Sequence, residues 1–465
     1  MQLATALVIL LAVAGSRSAP LHSVDREGFR LALVLACMTA PVALAGGMAH
    51  RATAGSWEWV HAETSSWWVR ARSAHLAVWV LLGAVILFPL QWPQLVRANW
   101  RLDGSLLADE LMVFAPLLLP MLLSWAAFLE VEAGPGRGRV SARSRRVAWV
   151  WLQARHYLVL PLVPVAVVLV TEDAAQWLAP RLLDGPQTTA LHALLLALLI
   201  AAFPWLARLA LGSQPLADGP LRRRLVASAQ SWRLGLRDIL VWSSEGRVVN
   251  AAVTGWMPGL RYIFLSDGLL RRLTDDEVSL VFTHEAGHLR HRHPVWRLMV
   301  LLVPLSAWYA AVGGDAVAPL RSGAAAAGTE RAWQAAQLAP PAGLALAAIA
   351  AGVGVLLLGW FARRMEHQAD LWTCRTASRG DRDEPLRAEA VEPYLRVLEK
   401  LHPPHPDRHR LLLWLHPRLE HRTQFLRGML GDRPRETRFQ LQQRLATAAI
   451  VPAILLPPIV RLLVG

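Results

Sequence analysis

Lysine is almost missing from this 465-residue chain: Lys400 is the single one among 48 basic residues. The net charge of +14 is therefore carried by arginine. A basic excess marks nucleic-acid binding when it gathers into a patch. Here the arginines lie mainly in loops between apolar runs, so membrane topology accounts for them better and no nucleic-acid partner is expected. Cysteine is scarce as well. Cys37 and Cys374 alone cannot build a disulfide framework or a cysteine-rich zinc site. Any metal would need histidine and carboxylate ligands. Charged residues make up only 18% of the chain, hydrophobic ones 54%, and the mean hydropathy is +0.33. Few soluble domains are that apolar, and the long uncharged runs indicate a polytopic membrane protein. There is no internal repeat.

About nine stretches approach the ~20 residues that a bilayer requires. They centre near Val8, Val42, Leu82, Leu118, Leu162, Leu196, Pro304, Val353 and Leu455. The first has no basic residue ahead of it, a poor form for a signal peptide, so anchor and signal peptide both stay open. Arg155 and His156 interrupt the start of the fifth, and Pro452, Pro457 and Pro458 make the last a candidate re-entrant segment. Trp57, Trp59, Trp67, Trp68, Trp92 and Trp100 sit beside apolar runs, where interfacial anchors belong. The loop Gly134 to Arg146 holds five arginines, and the stretches around Arg223 and Arg363 are also basic. The positive-inside rule places these in the cytoplasm. Regions 208–297 and 362–444 then share the cytoplasmic side, joined by a hairpin of two spans, so that one site could draw on both.

Region 208–297 reads as α+β. Asp238 to Ser244 and Arg261 to Asp267 have strand character, bounded by Gly246 and Gly268. Thr274 with Glu277 forms a capping box and predicts a helix start. That helix carries "VFTHEAGHL", Val281 to Leu289. His284 and His288 are four residues apart and share one face. Two imidazoles so placed can hold one zinc ion. Glu285, turned about 100° away, is set to reach a water at the metal rather than the metal itself. Gly287 lets another backbone come close. The plainer alternative is a histidine-rich helix, since His291 and His293 follow directly. Beyond the hairpin, "RRMEHQADLW" places Glu366 and Asp370 four residues apart. Glu366 can complete a two-histidine, one-glutamate site, and Asp370 can support a ligating imidazole. Alternatively both are solvated charges balancing Arg363 and Arg364.

Taken together these segments resemble the integral-membrane zinc metallopeptidases of the CAAX prenyl protease and HtpX type. The resemblance runs over residues 235–430 through "NAAVTG", "RYIFLSDGLL", "HEAGHLRHRH", "EHQAD" and "LHPRLEHR". It implies gluzincin-type proteolysis with one zinc per chain, ligated by His284, His288 and Glu366. Glu285 would be the general base and Asp370 would support a ligand. His416 matches a late histidine that lies near the metal in relatives, which makes it a catalytic candidate, to stabilise the oxyanion or to block the site; a turn residue before Pro417 is its plainer reading. Asn250, Ala251, Ala252 and Val253 match an edge strand that binds substrate by backbone pairing, although Asn250 also suits a turn. The first ~200 residues depart from the pattern. About six spans precede the catalytic region, where the bacterial type has two and the prenyl protease five, so a chamber for prenylated substrates is not implied.

The expected protein is mainly α, a polytopic membrane protein with a small α+β zinc metallopeptidase domain split by a two-span hairpin. Its parts are a transmembrane region (1–207), a first catalytic part (208–297), the hairpin (298–361), a second catalytic part (362–444) and a hydrophobic C-terminal segment (445–465). It is expected in a bacterial cytoplasmic membrane, facing the cytoplasm, acting on protein or peptide substrates at the lipid bilayer. The competing expectation is a transporter or membrane scaffold with a structural or regulatory zinc site.

Overall fold

The structure is a computed structural model that describes residues 5, 8, 9, 12, 23–54, 66–102, 108–132, 142–179, 186–244, 248–312, 341–378, 384–401 and 417–464. The chain separates into two compact units, one of residues 1–199 with 321–337, the other of 200–320 with 338–465.

The first unit is helical. Its helices are α1 (Glu27–Ala54), α2 (Ser66–Leu87), α3 (Ala108–Glu132) and α4 (Ala142–Leu178). α5 (Pro186–Leu211) begins in this unit and leads the chain into the second. α1 and α4 both pack on α3, around Leu117, Met121, Trp125 and Phe128. Several buried polar groups in this unit find partners, as a water-free surround favours. Trp79 Nε1 donates to the Leu117 carbonyl at 2.8 Å, and Arg97 donates to Asp109 at 3.0 Å and Glu110 at 2.9 Å. Arg155 and His156 do not interrupt α4. His156 turns its Nδ1 to the Leu152 carbonyl one turn back, 2.8 Å away, so the helix absorbs it.

Six helices among the described residues are long and apolar enough to cross a membrane: Glu27–Thr53, Trp67–Leu87, Ala108–Leu129, Arg143–Leu178, Ala190–Leu211 and Arg433–Val460. The shortest, 21 residues, spans about 30 Å at 1.5 Å per residue. Several carry exposed leucines in rows, such as Leu194, Leu196 and Leu198, which suit lipid and not water. The stretches around Pro304 and Val353 are helical too, and the one near Val8 lies largely outside the described residues. The last stretch is one continuous 32-residue helix, α13 (Arg433–Val464), and not a re-entrant turn. Its three prolines are accommodated within that helix.

The second unit contains the sheet. Strands β1 (Gln214–Pro215), β2 (Leu236–Trp242), β3 (Ala251–Thr254) and β4 (Arg261–Ser266) are ordered β1-β2-β4-β3. β2 and β4 run parallel in the centre, and β3 pairs antiparallel with β4, Ala252 opposite Phe264. The crossover between parallel strands passes through β3, so β3 ends at the edge. Helix α6 (Pro220–Ser231) and the short α7 (Asp267–Arg272) flank the sheet. Next comes α8 (Asp275–Arg290), which begins as expected: Thr274 accepts from Glu277 N, and Glu277 Oε2 accepts from Thr274 N at 3.0 Å. Phe282, Ala286 and Leu289 of α8 bury themselves against Ile263 and Leu265 of β4. The chain then breaks for two residues and continues in α9 (His293–Val312). α10 (Pro341–Ala377), α11 (Ala388–Leu401) and α12 (Leu419–Arg427) complete the unit with α13. Leu371, Cys374, Tyr394, Leu395 and Leu426 form a second core joining α10, α11 and α12.

Candidate metal centre

Two helices build the site, and one glycine sets their separation. α8 packs on α10, and a Cβ placed on Gly287 would lie 3.3 Å from the Ala369 Cα and 2.9 Å from a Trp372 ring carbon. Only glycine allows this approach, as its place in the motif suggests. The approach brings Glu366 of α10 to the two histidines of α8. His284 Nε2 lies 3.3 Å from His288 Nε2 and 3.4 Å from Glu366 Oε2, and His288 Nε2 lies 3.6 Å from Glu366 Oε1. All three side chains are buried. Atoms holding one tetrahedral zinc at 2.0–2.2 Å must lie about 3.3–3.6 Å apart. His284 Nε2 faces one Glu366 oxygen and His288 Nε2 the other, each at a separation of that size, and the donor set of two imidazoles and a carboxylate suits zinc.

Each ligand candidate is held from behind. His284 turns Nδ1 to Asp370 Oδ1 at 3.1 Å and to the Tyr394 hydroxyl at 2.8 Å. Tyr394 donates to Asp370 Oδ1 at 2.8 Å, and Arg422 donates through Nε to Asp370 Oδ2 at 2.9 Å and through its other arm to Asp370 and Tyr394. Burial alone would raise the Asp370 carboxyl, but the Arg422 guanidinium and the His284 hydrogen bond hold it well below the usual carboxylate range. Burial and the Asp370 charge push the Tyr394 phenol well up, so it stays a donor. Asp370 thus meets the imidazole as a full anion, the arrangement that fixes a tautomer and raises ligand basicity. Glu366 Oε1 also accepts from Arg297 at 3.0 Å.

His288 is supported differently. Its Nδ1 faces His293 Nδ1 at 2.8 Å, and His293 Nε2 faces Gln368 Oε1 at 3.0 Å. Burial pushes His293 down to about 3, so it is neutral. His293 therefore belongs to the cluster; it is not a token of a generally histidine-rich stretch. His291 has a packing part, edge-on to Trp372 with 5.9 Å between ring centroids.

The remaining candidates fall around this centre. Glu285 is half-buried on α8, one residue beyond His284. Ala251, Ala252 and Val253 lie on β3, which packs against α8, and Asn250 directly precedes it. Asn250 is exposed; its Oδ1 accepts from Ala251 N at 2.9 Å and its backbone exchanges hydrogen bonds with Ser266. β3 has one paired side among the described residues. His416 lies outside the described residues. Tyr394, Arg422, His293, Gln368 and Arg297 went unassigned from sequence. Arg422 ends the segment "LHPRLEHR", and its position there was the one available signal; Tyr394 stands in no motif.

Residues 215–430 match Peptidase family M48. The match begins at β1 and ends beyond α12, so it takes in both halves of the centre. It bears out the resemblance to membrane metallopeptidases of the CAAX prenyl protease and HtpX type. Two curated relatives are similar over short stretches of the chain. "Protease HtpX homolog" of Aeropyrum pernix is 40% identical over 76 residues, 16% of this chain and 24% of that protein. "Protease HtpX homolog" of Thermoplasma acidophilum is 39% identical over 69 residues, 15% and 22% of the two chains. The chain thus matches about a quarter of those relatives' length. Among solved structures, S. mikatae Ste24p is similar with a TM-score of 0.42 and 15% identity, over 87% of this chain and 99% of that one. A likeness at that level carries no argument about the site.

Proposed function

We propose that this chain is a zinc-dependent membrane endopeptidase, cutting peptide bonds of proteins in or near the bilayer. The observation that supports it best is the convergence of His284 Nε2, His288 Nε2 and a Glu366 oxygen at zinc-ligand spacing, with Glu285 next in sequence on the same helix. His284, His288 and Glu366 would hold one zinc. Bound there, zinc would polarise the scissile carbonyl and make a water acidic enough to attack it near neutral pH. The protein's own part is proton handling and positioning. Glu285 takes the proton from the attacking water and returns it to the leaving amine. Asp370, backed by Arg422 and Tyr394, keeps the His284 proton on Nδ1, leaving Nε2 bare to bind. β3 receives the substrate as an added strand beside α8, since backbone pairing tolerates many sequences. The third ligand arrives on α10 from the far side of the hairpin, so the site forms only when both polar regions meet on one face of the membrane. The arginine-rich loops make that the cytoplasmic face.

The test is cleavage of an unfolded protein such as casein by detergent-purified wild type and Glu285→Gln. Cleavage by the wild type, with loss of at least a hundredfold in the variant, is expected from removing a general base. Equal cleavage by both would exclude Glu285 as the base.

A further inference from the structure

His293 has no part in the chemistry above, yet it is buried at the heart of the cluster. It opens α9, and its Nδ1 stands 2.8 Å from Nδ1 of His288. Its other nitrogen stands 3.0 Å from Oε1 of Gln368 on α10. Gln368 Nε2 in turn donates to Gln440 Oε1 on α13 at 2.7 Å. Four side chains from four helices form one line of hydrogen bonds ending on a ligand candidate.

The direction of that line matters. His288 can bind a metal through Nε2 only if that nitrogen is bare, so its proton must sit on Nδ1. That proton needs an acceptor, and the atom facing it is His293 Nδ1. His293 must then carry its own proton on Nε2 and donate it to Gln368 Oε1. This leaves the Gln368 amide nitrogen to donate to Gln440. Each link has one donor and one acceptor. Turning the Gln368 and Gln440 amides over together reverses every link: His293 would donate to His288, whose proton would move to Nε2 and close that nitrogen to metal. The paired orientation of the two glutamine amides therefore decides whether His288 can serve.

We propose that His293 is a positioning residue for His288, selecting the metal-binding tautomer through a hydrogen-bond line that Gln368 and Gln440 orient. The inference rests on the zinc site of the proposed function. It makes the two histidines unlike: His284 leans on an anion, His288 on a neutral imidazole.

The full chain is purified in detergent as wild type, His293→Phe and His293→Asn. Zinc affinity is measured against a competing chelator, and the visible absorption of the cobalt(II)-loaded forms is recorded. Phenylalanine fills the ring's space without an acceptor. The asparagine Oδ1 stands close to where Nδ1 stood and can accept from His288. His293→Phe is expected to bind zinc about 10–100-fold more weakly, with an altered cobalt spectrum. His293→Asn is expected to stay within a few-fold of wild type, with its spectrum. Wild-type affinity in His293→Phe, or an equal loss in His293→Asn, would overturn the inference while leaving the zinc site standing. Absence of zinc from the wild type would instead sink the proposed function. If His293→Phe does not fold, Gln368→Met tests the same line from its far side. A comparable loss supports the inference, and wild-type affinity overturns it.

Discussion

Asp370 shows how much one carboxylate does here. Buried, it meets the His284 ring, the Tyr394 hydroxyl and both arms of Arg422. Asp370→Asn keeps the shape and removes the charge. It leaves Arg422 largely buried without its anion, a defect that costs about 3–5 kcal/mol, and it offers His284 an amide that can present a donor. Zinc affinity is expected to fall about 10–100-fold, together with a lower Tm of the detergent-purified protein; chelator competition and a thermal melt check the two. The neighbouring thiol behaves oppositely. Burial, and then the Asp370 charge, push Cys374 well above the usual thiol range, so it is not a thiolate at pH 8. Iodoacetamide at pH 8 is expected to leave Cys374 unmodified in the folded protein and to modify it after denaturation, as peptide mass spectrometry reads directly.

At the scale of elements, the decisive contact is α8 on α10. Gly287→Ala must push against Trp372 and the Ala369 backbone, so the helices part or the ring turns, at about 1–3 kcal/mol. The distances from Glu366 to His284 and His288 widen with them. Gly46→Ala in α1, where a methyl would meet nothing within 4 Å, is expected to be neutral or to gain up to about 1 kcal/mol. Thermal melts of the two variants check the contrast. α8 was legible in the sequence because its signals are local. Thr274 and Glu277 cap it, His284 and His288 share a face by periodicity alone, and Gly287 announces a close neighbour. Glu366 and Asp370 were legible through their own four-residue spacing, although 78 residues separate Glu366 from His288. What supports the candidate ligands was not. Tyr394 reaches His284 from 110 residues away, and Gln368 meets Gln440 across 72, through packing that no periodicity encodes. The final helix was misread for a related reason: Pro452, Pro457 and Pro458 look like breaks, yet α13 runs through them.

For the whole molecule, two observations bear on how it sits in a cell. Rows of exposed leucine, valine and isoleucine on helices long enough to cross a bilayer require lipid or detergent around them. α8 and α10, which meet at the centre, are separated in sequence by α9, which itself packs on α10 and α13, so a metal held there would tie the folding of α8 to that of α10. The measurement that bears most directly on the centre is zinc per chain, by elemental analysis of detergent-purified protein, for wild type, Glu285→Gln and Glu366→Gln. One zinc in the wild type and in Glu285→Gln, with loss from Glu366→Gln, is expected if His284, His288 and Glu366 are the ligands and Glu285 is not. No zinc in metal-replete wild type, or full zinc in Glu366→Gln, would contradict the site described.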